Sequence, residues 1–285
     1  RLDALLYTDI GMEPFTYFLA HSRLAPVQWV TWGHPVTTGI STIDAYLSPD
    51  CFEADGAEAH YAERLVRSPS IPMNYRDEHA PPAGKKSDFG LPDNQPLYLC
   101  PQNLFKLHPE FDHWLGDILK ADPNGIIGLI EGANSAWTER VKTRLAPVLG
   151  ADMERVRFVP FLPKSDYMRL LGAAEVMLDP IHFGGSNTTL GGFAAGTPAI
   201  TWPSAFMRGR MTTGLYRTMG IEECIASGRA DYAARATEIA NDPVKRTEII
   251  SHIRAARPSV VGTAGAARDL GNLLAEAVSS RSGSR

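Results

Sequence analysis

A glycine pair followed by hydroxyl and amide side chains at the head of a helix suits phosphate chemistry. Residues 180–198, PIHFGGSNTTLGGFAAGTP, carry that pattern. They follow an apolar run ending in an acid, Val176-Met177-Leu178-Asp179, which reads as a buried strand reaching the edge of a sheet. Gly184 and Gly185 let the backbone turn tightly and approach a ligand without interference from a Cβ. Ser186, Asn187, Thr188 and Thr189 are N-cap residue types for the small-residue helix that follows. The unpaired N–H groups and partial positive charge of a helix N-terminus attract anions. The same residues also make an ordinary capped strand–turn–helix. Neither a Walker loop nor a Gly-x-Gly-x-x-Gly fingerprint is present to decide between the two.

The elements that must position this segment alternate between strand-like and helix-like runs, the pattern of an α/β protein with parallel strands. In the first third, strands are expected at residues 2–7, 27–31 and 45–47, with helices near 16–20 and 57–61. Residues 69–92 are rich in proline, charge and small polar side chains and suit a linker. A second set follows. Strands are expected at 97–100, 125–131, 156–160, 176–179 and 199–202, and helices at 109–121, 136–149, 164–172 and 188–195. Phe111, Leu115, Ile118 and Leu119 are spaced for one apolar helix face. Helices at 232–240, 244–256 and 264–278 close the chain and are expected to pack across both lobes. The expected organisation is a partial first lobe with its linker (1–92), a second Rossmann-like lobe (93–230), closing helices (231–278) and a disordered polar tail (279–285). Two such lobes place ligands at the carboxyl ends of their strands.

A length of 285 residues with 44% hydrophobic and 21% charged residues is ordinary for a soluble globular protein. A net charge of −4 and a pI near 6.1 argue against a nucleic-acid binder working by bulk electrostatics. No apolar run approaches the roughly 20 residues needed to cross a bilayer, and no signal peptide is visible. Cys51, Cys100 and Cys224 are odd in number and far apart, which suits reduced thiols in the cytoplasm rather than a disulfide frame or a zinc site. The chain opens abruptly on a strand-like segment after Arg1, so a longer protein with further upstream sequence is expected.

Five segments together resemble the catalytic region of protein O-linked N-acetylglucosamine transferases, including SPINDLY-like members. They are Leu24–Gln28, Trp32–Gly39, Gln102–Lys106, Gly185–Thr189 and Phe206–Arg210, in the family's order and approximate spacing. The resemblance spans nearly the whole chain. It implies a GT-B fold of two Rossmann-like lobes, the first truncated at its N-terminus. It implies an inverting, metal-independent glycosyltransferase that moves N-acetylglucosamine from UDP-GlcNAc to serine or threonine hydroxyls of proteins. No other cofactor is implied, and upstream tetratricopeptide repeats would bind the protein acceptor.

Site residues follow from the same resemblance. Lys106 corresponds to a lysine that contacts the diphosphate, and Asn103 to a polar residue turned toward the same phosphate. Lys164 and Tyr167 correspond to residues flanking the base, and Asn187, Thr188 and Thr189 to diphosphate-binding hydroxyls. Gly33, His34 and Pro35 fall in the segment beside the donor sugar. Read on their own chemistry, Lys106 is equally a solvated lysine, Tyr167 a packed helical aromatic and His34 a hydrogen-bonded structural histidine. Arg210 either orients the following helix or pairs with a carboxylate. No two aspartates stand two apart, so an Asp-x-Asp metal pair is absent, and charge on a departing diphosphate must be met by a cation of the protein and by helix amides. One departure stands out. Gly191 occupies a position where the family usually carries an acid for the ribose hydroxyls. Another donor or a glycan acceptor, and a non-catalytic nucleotide-sugar binding domain, remain as alternatives.

Overall fold

Short, mostly apolar runs form two parallel sheets. The computed structural model describes residues 2–71, 80–261 and 264–282. The first sheet has four strands in the order β1 (Ala4–Tyr7), β2 (Val27–Thr31), β3 (Ala45–Pro49) and β4 (Arg64–Ser68), all parallel. β4 was not expected. Its sequence, RLVRS, is half polar, which a strand at a sheet edge tolerates because one side faces water. The helix expected at 16–20 runs from Pro14 to Leu19 (α1), and the one expected at 57–61 is a single 3₁₀ turn, Ala57–His60.

The second sheet holds five parallel strands: β5 (Leu97–Cys100), β6 (Ile126–Ile130), β7 (Val156–Val159), β8 (Val176–Leu178) and β9 (Ala199–Ile200). Their order across the sheet is β7-β6-β5-β8-β9. β5 and β6 are buried at every position, as strands are when helices cover both faces of a parallel sheet. Between them run α2 (Pro109–Ala121), α3 (Ser135–Leu149), α4 (Lys164–Ala173) and α5 (Asn187–Ala195). On α2, Phe111, Leu115, Ile118 and Leu119 are all fully buried, the apolar face that their spacing predicted. The helix expected to follow Arg210 is α6 (Met211–Met219), with Arg210 at its N-cap. Its first turn, Met211-Thr212-Thr213-Gly214, holds poor helix formers that its burial overrides.

The chain divides into two compact units. One comprises Arg1–Arg76, Ala205–Arg208 and Pro258–Arg285, and the other Asp77–Ser204 and Gly209–Arg257. The closing helices divide with them. α7 (Arg229–Asn241) and α8 (Pro243–Ala256) belong to the second unit, where Tyr232 packs edge-on against Phe111 and Trp114 of α2. α9 (Ala264–Ser282) belongs to the first, where Leu270, Leu273, Leu274 and Ala277 cover Val27, Trp29 and Leu47. The expected polar tail is therefore corrected: residues 279–282 continue α9, and residues 283–285 lie outside the described residues. Of the expected linker, residues 72–79 also lie outside them. Later in the same segment, the chain is anchored where Lys86 Nζ donates to Glu175 Oε1 at 2.8 Å. No helix among the described residues is long and apolar enough to cross a membrane.

Candidate functional site

The strand order of the second sheet reverses between β5 and β8, because β6 and β7 extend to one side and β9 to the other. At such a reversal the loops leaving two neighbouring strands diverge and open a crevice beyond the carboxyl ends. The residues after β5 are Pro101-Gln102-Asn103 and a 3₁₀ turn, Leu104–Lys106. Those after β8 are Asp179 and the loop to α5. Topology thus brings Asn103, Lys106 and the head of α5 to one edge.

Lys106 is half-buried. Its Nζ donates to Gln102 Oε1 at 3.3 Å and lies 4.5 Å from the centre of the Phe183 ring. Burial pulls the ammonium below the usual lysine range, while the charge of Asp179 opposes that shift. Asp179 is itself only 4% exposed. It accepts from the Gly185 N–H at 2.7 Å and from Thr201 Oγ1 at 2.9 Å. Burial nevertheless pushes its carboxyl up to about 6, those hydrogen bonds and Lys106 acting in the other direction.

The glycine pair is explained here, though not as the sequence suggested. Neither Gly184 nor Gly185 has a positive φ. A Cβ on Gly184 would stand 2.8 Å from Asp179 Oδ1, and one on Gly185 would stand 2.6 Å from Gln102 Nε2. The missing side chains let the β8 loop close onto the β5 loop. Gly209 does the same from the motif Phe206–Arg210, since a Cβ there would stand 1.8 Å from the carbonyl oxygen of Ile181. Arg210 next to it donates from Nη1 to the carbonyl of Ser204 at 3.0 Å.

A cavity of about 210 Å³ opens beside these groups, lined by Gln102, Asn103, Glu131, Phe161, Tyr167 and Thr188 among others. It is smaller than the ~300–1,000 Å³ of a site that encloses a drug-sized ligand, and it suits one end of a nucleotide. Phe161 is 72% exposed, an aromatic face presented to whatever enters. A larger cavity of about 390 Å³ lies in the first unit, on the sheet face by α9, lined by Val27, Trp29, Leu273 and Arg281 among others. It is remote from the carboxyl ends of the strands and adjoins no glycine-rich loop.

Of the expected site residues, Asn103, Tyr167 and Thr188 line the smaller cavity, and Lys106 reaches it through Gln102. Lys164 opens α4 on the surface, one helical turn before Tyr167. Asn187 is the exposed first residue of α5. Thr189 is 2% exposed and shares a 2.8 Å hydrogen bond with Thr212 Oγ1, so its hydroxyl faces the interior and not the cavity. Ser186, the N-cap, makes no capping bond, and its Oγ is shielded from solvent without a hydrogen-bond partner.

Gly33, His34 and Pro35 belong to the first unit. Gly33 is required there by close approach, since a Cβ would stand 2.0 Å from the Thr8 carbonyl oxygen. Tyr46 Oη donates to the carbonyl of His34 at 2.8 Å. Glu63, which the sequence did not single out, braces the rest of this loop. It accepts from Thr37 Oγ1 at 2.6 Å, from the amides of Thr38 and Gly39 at 2.8 and 3.1 Å, and from the Thr38 hydroxyl. Burial works to raise its carboxyl, but these donors outweigh it and hold the group below the ordinary value of 4.5. The depressed group stabilises the fold above that value, and the benefit is lost as pH falls through the folded one. Glu63→Gln is therefore expected to cost about 1.5–3 kcal/mol at neutral pH. Thermal melts at pH 7 and at about pH 4 check this: the gap in Tm should narrow in acid.

One further cluster lies at the start of α2. His108 and His182 stack with ring centres 3.9 Å apart, and His182 Nε2 lies 2.9 Å from Glu110 Oε2. The ligand-capable atoms of these three residues lie within 4.8 Å of one another. The Glu110 N–H donates to His108 Nδ1 at 3.2 Å, which occupies that ring's lone pair. The cluster is a hydrogen-bonded clasp between α2 and the β8 loop.

Comparison with known proteins gives this geometry a family. The pattern of Glycosyl transferase family 41 matches residues 78–261. The chain belongs to that family. Its relatives include the probable UDP-N-acetylglucosamine–peptide N-acetylglucosaminyltransferase SEC of Arabidopsis thaliana. That protein is 30% identical over 244 residues, covering 82% of this chain and 24% of the relative. The UDP-glucose:protein N-beta-glucosyltransferase of Actinobacillus pleuropneumoniae serotype 7 is 27% identical over 254 residues, covering 86% of this chain and 39% of the relative. The chain thus spans between a quarter and two fifths of the length of these relatives. Among solved structures, a mutant O-GlcNAc transferase of Thermobaculum terrenum superposes with a TM-score of 0.82 at 23% identity, covering 98% of this chain and 53% of that one. Sucrose-phosphate synthase of Thermosynechococcus elongatus gives 0.69 at 14% identity, covering 98% and 74%. The fold is GT-B, as in these solved structures.

Proposed function

We propose that this family-41 chain transfers N-acetylglucosamine from UDP-GlcNAc to serine or threonine hydroxyls of proteins, with inversion and without a metal ion. The observation that carries the donor assignment is the convergence at one sheet edge of a half-buried lysine, the N-terminus of α5 and an aromatic-walled cavity. The first amides of a helix have no intrahelical partner, and its positive end suits a diphosphate. The solvent-shielded Ser186 Oγ is a further donor awaiting an acceptor. In this reading, the base and ribose occupy the cavity between Phe161, Tyr167 and Thr188, with Asn103 at the phosphate side and Lys164 at the outer rim of α4.

The acceptor oxygen attacks the anomeric carbon as the bond from that carbon to the β-phosphate oxygen breaks. UDP leaves with the electron pair, and the hydroxyl proton passes to a base or to the phosphate. Lys106 and the α5 amides stabilise the negative charge that gathers on UDP, more in the transition state than before it. The names of the relatives support a protein acceptor and a UDP-sugar donor. They also support a second reading, in which UDP-glucose is the donor. The cytoplasmic placement rests on Cys100 and Cys224, which are buried thiols.

The test offers UDP-GlcNAc and UDP-glucose separately, with a pool of serine- and threonine-containing peptides, and measures UDP release. Faster release from UDP-GlcNAc supports the first reading, and faster release from UDP-glucose the second. Addition of EDTA should leave the rate unchanged, because Lys106 and helix amides supply the positive charge. Loss of activity in EDTA that manganese restores would refute the metal-free mechanism.

A further inference from the structure

Glu131 follows β6 directly and brings a carboxylate to the cavity of the second unit, beside Asn103, Phe161, Tyr167 and Thr188. Its backbone is pinned on both sides. The Glu131 N–H donates to the Val159 carbonyl at 2.8 Å, and the Gly132 N–H donates to the buried Thr138 Oγ1 at 3.2 Å. A Cβ on Gly132 would stand 3.1 Å from the Trp137 ring, so this loop closes tightly onto the head of α3. The half-buried side chain differs from that backbone: among the described residues, its carboxylate has no hydrogen-bond or ion-pair partner. A partly desolvated charge is unfavourable until a ligand brings it donors.

Sheet order decides which part of a nucleotide that carboxylate would meet. β6 lies between β7 and β5, so Glu131 emerges between Phe161, beyond β7, and Asn103, beyond β5. Neighbouring strands are about 4.8 Å apart, which sets Glu131 roughly one spacing from either loop. With the base at the aromatic end and the phosphates at the Asn103 end, the ribose lies between them. A phosphate repels a carboxylate, whereas ribose presents two vicinal hydroxyl donors. The α5 wall offers those hydroxyls no acid, because Gly191 has no side chain.

We propose that Glu131 is the ribose-binding residue of the donor site, its carboxylate accepting a hydrogen bond from one ribose hydroxyl. It supplies from β6 the acid that is absent at Gly191, and it leaves the other hydroxyl toward α5. The inference rests on the nucleotide-sugar reading of the cavity, but not on the identity of the base or the sugar. It makes the site selective for ribonucleotides, since a deoxy ligand leaves the buried acceptor without its donor.

Calorimetry on the full chain measures the affinities for UDP, its 2′-deoxy and 3′-deoxy analogues, and the corresponding guanosine diphosphates. The wild type should bind its preferred ribonucleotide about 10–100-fold tighter than one of the two deoxy analogues, the worth of one charge-assisted hydrogen bond. In Glu131→Ala that ratio should fall to about two or less, with the deoxy ligand bound no worse than by the wild type. Glu131→Gln keeps an acceptor oxygen without the charge and should give an intermediate ratio. A residue that only shaped the loop would weaken all the ligands alike. A ratio unchanged in the variants therefore overturns the proposal, as does a wild-type ratio near one for both analogues. Both variants should fold, because the carboxylate holds no other group in place. If Glu131→Ala does not, Glu131→Gln carries the same comparison, and failure of both would show a structural role and overturn the proposal. A wild-type chain that binds no ribonucleotide ends the nucleotide reading and this one together. Binding without the predicted change of ratio ends this one alone.

Discussion

Lys106→Ala is expected to fold normally and to lose about 10²–10³ in the rate of transfer, the usual effect of removing one preorganised charge contact from a developing anion. The lysine is half-buried between Gln102 and Phe183, so truncation removes a cation and leaves no buried partner ionised without solvent except Asp179. Asp179, already pushed up to about 6, can protonate in response, which limits the damage to the fold. Circular dichroism and melting curves should therefore match the wild type, while UDP release collapses. Lys106→Arg should recover part of the rate, since charge is restored at a different reach. A folded Lys106→Ala protein with undiminished turnover removes this residue from the mechanism.

The second large effect concerns two adjacent glycines of α5 that behave oppositely. Gly191 lies in the second turn of the helix. An added Cβ would meet Met168 Sδ and Leu171 Cδ1 at 3.5 Å, which is ordinary contact. Gly192 has no such room, because a Cβ would stand 1.8 Å from Met177 Cε in the core. Gly191→Glu should thus be tolerated and gain up to about 1 kcal/mol of helix propensity. Its carboxylate, passing Met168 beside Tyr167, should reach the ribose side of the cavity and tighten UDP binding roughly tenfold. Gly192→Glu should fail to fold. Calorimetry with UDP decides the first. Weaker or unchanged binding in a well-folded Gly191→Glu protein would show that the pocket has diverged from its relatives, and the UDP donor would be the first assignment to fall.

The fold was legible where burial dominates. Strands such as β5 and β6 are apolar at nearly every position because both faces are covered, and α2 carries its core face in its spacing. It was illegible where context overrides composition. β4 is a polar edge strand, and the first turn of α6 carries Thr212, Thr213 and Gly214, poor helix formers that burial holds, so its extent does not show in composition. The candidate site divides in the same way. Lys106, Asn103 and Thr188 were reached through the family resemblance, since residue type alone leaves each open to an ordinary structural role. Asp179, Thr201 and Thr212 matter through pairings across 22 or 27 residues, which no local pattern reports. Phe161 carried a signal that was passed over: an exposed aromatic between a strand and a helix in an α/β lobe faces a ligand edge. Glu63 gave none, since its four donors gather only when the chain folds back on it.

The central claim is that this chain moves a sugar rather than only binding its nucleotide. Mass spectrometry of acceptor peptides after incubation with UDP-GlcNAc addresses it directly. The account predicts peptides heavier by one N-acetylhexosamine, attached at serine or threonine, formed by the wild type and nearly absent with Lys106→Ala. Peptides of unchanged mass, in a preparation that binds UDP by calorimetry, would contradict it and leave a nucleotide-sugar binding domain in its place.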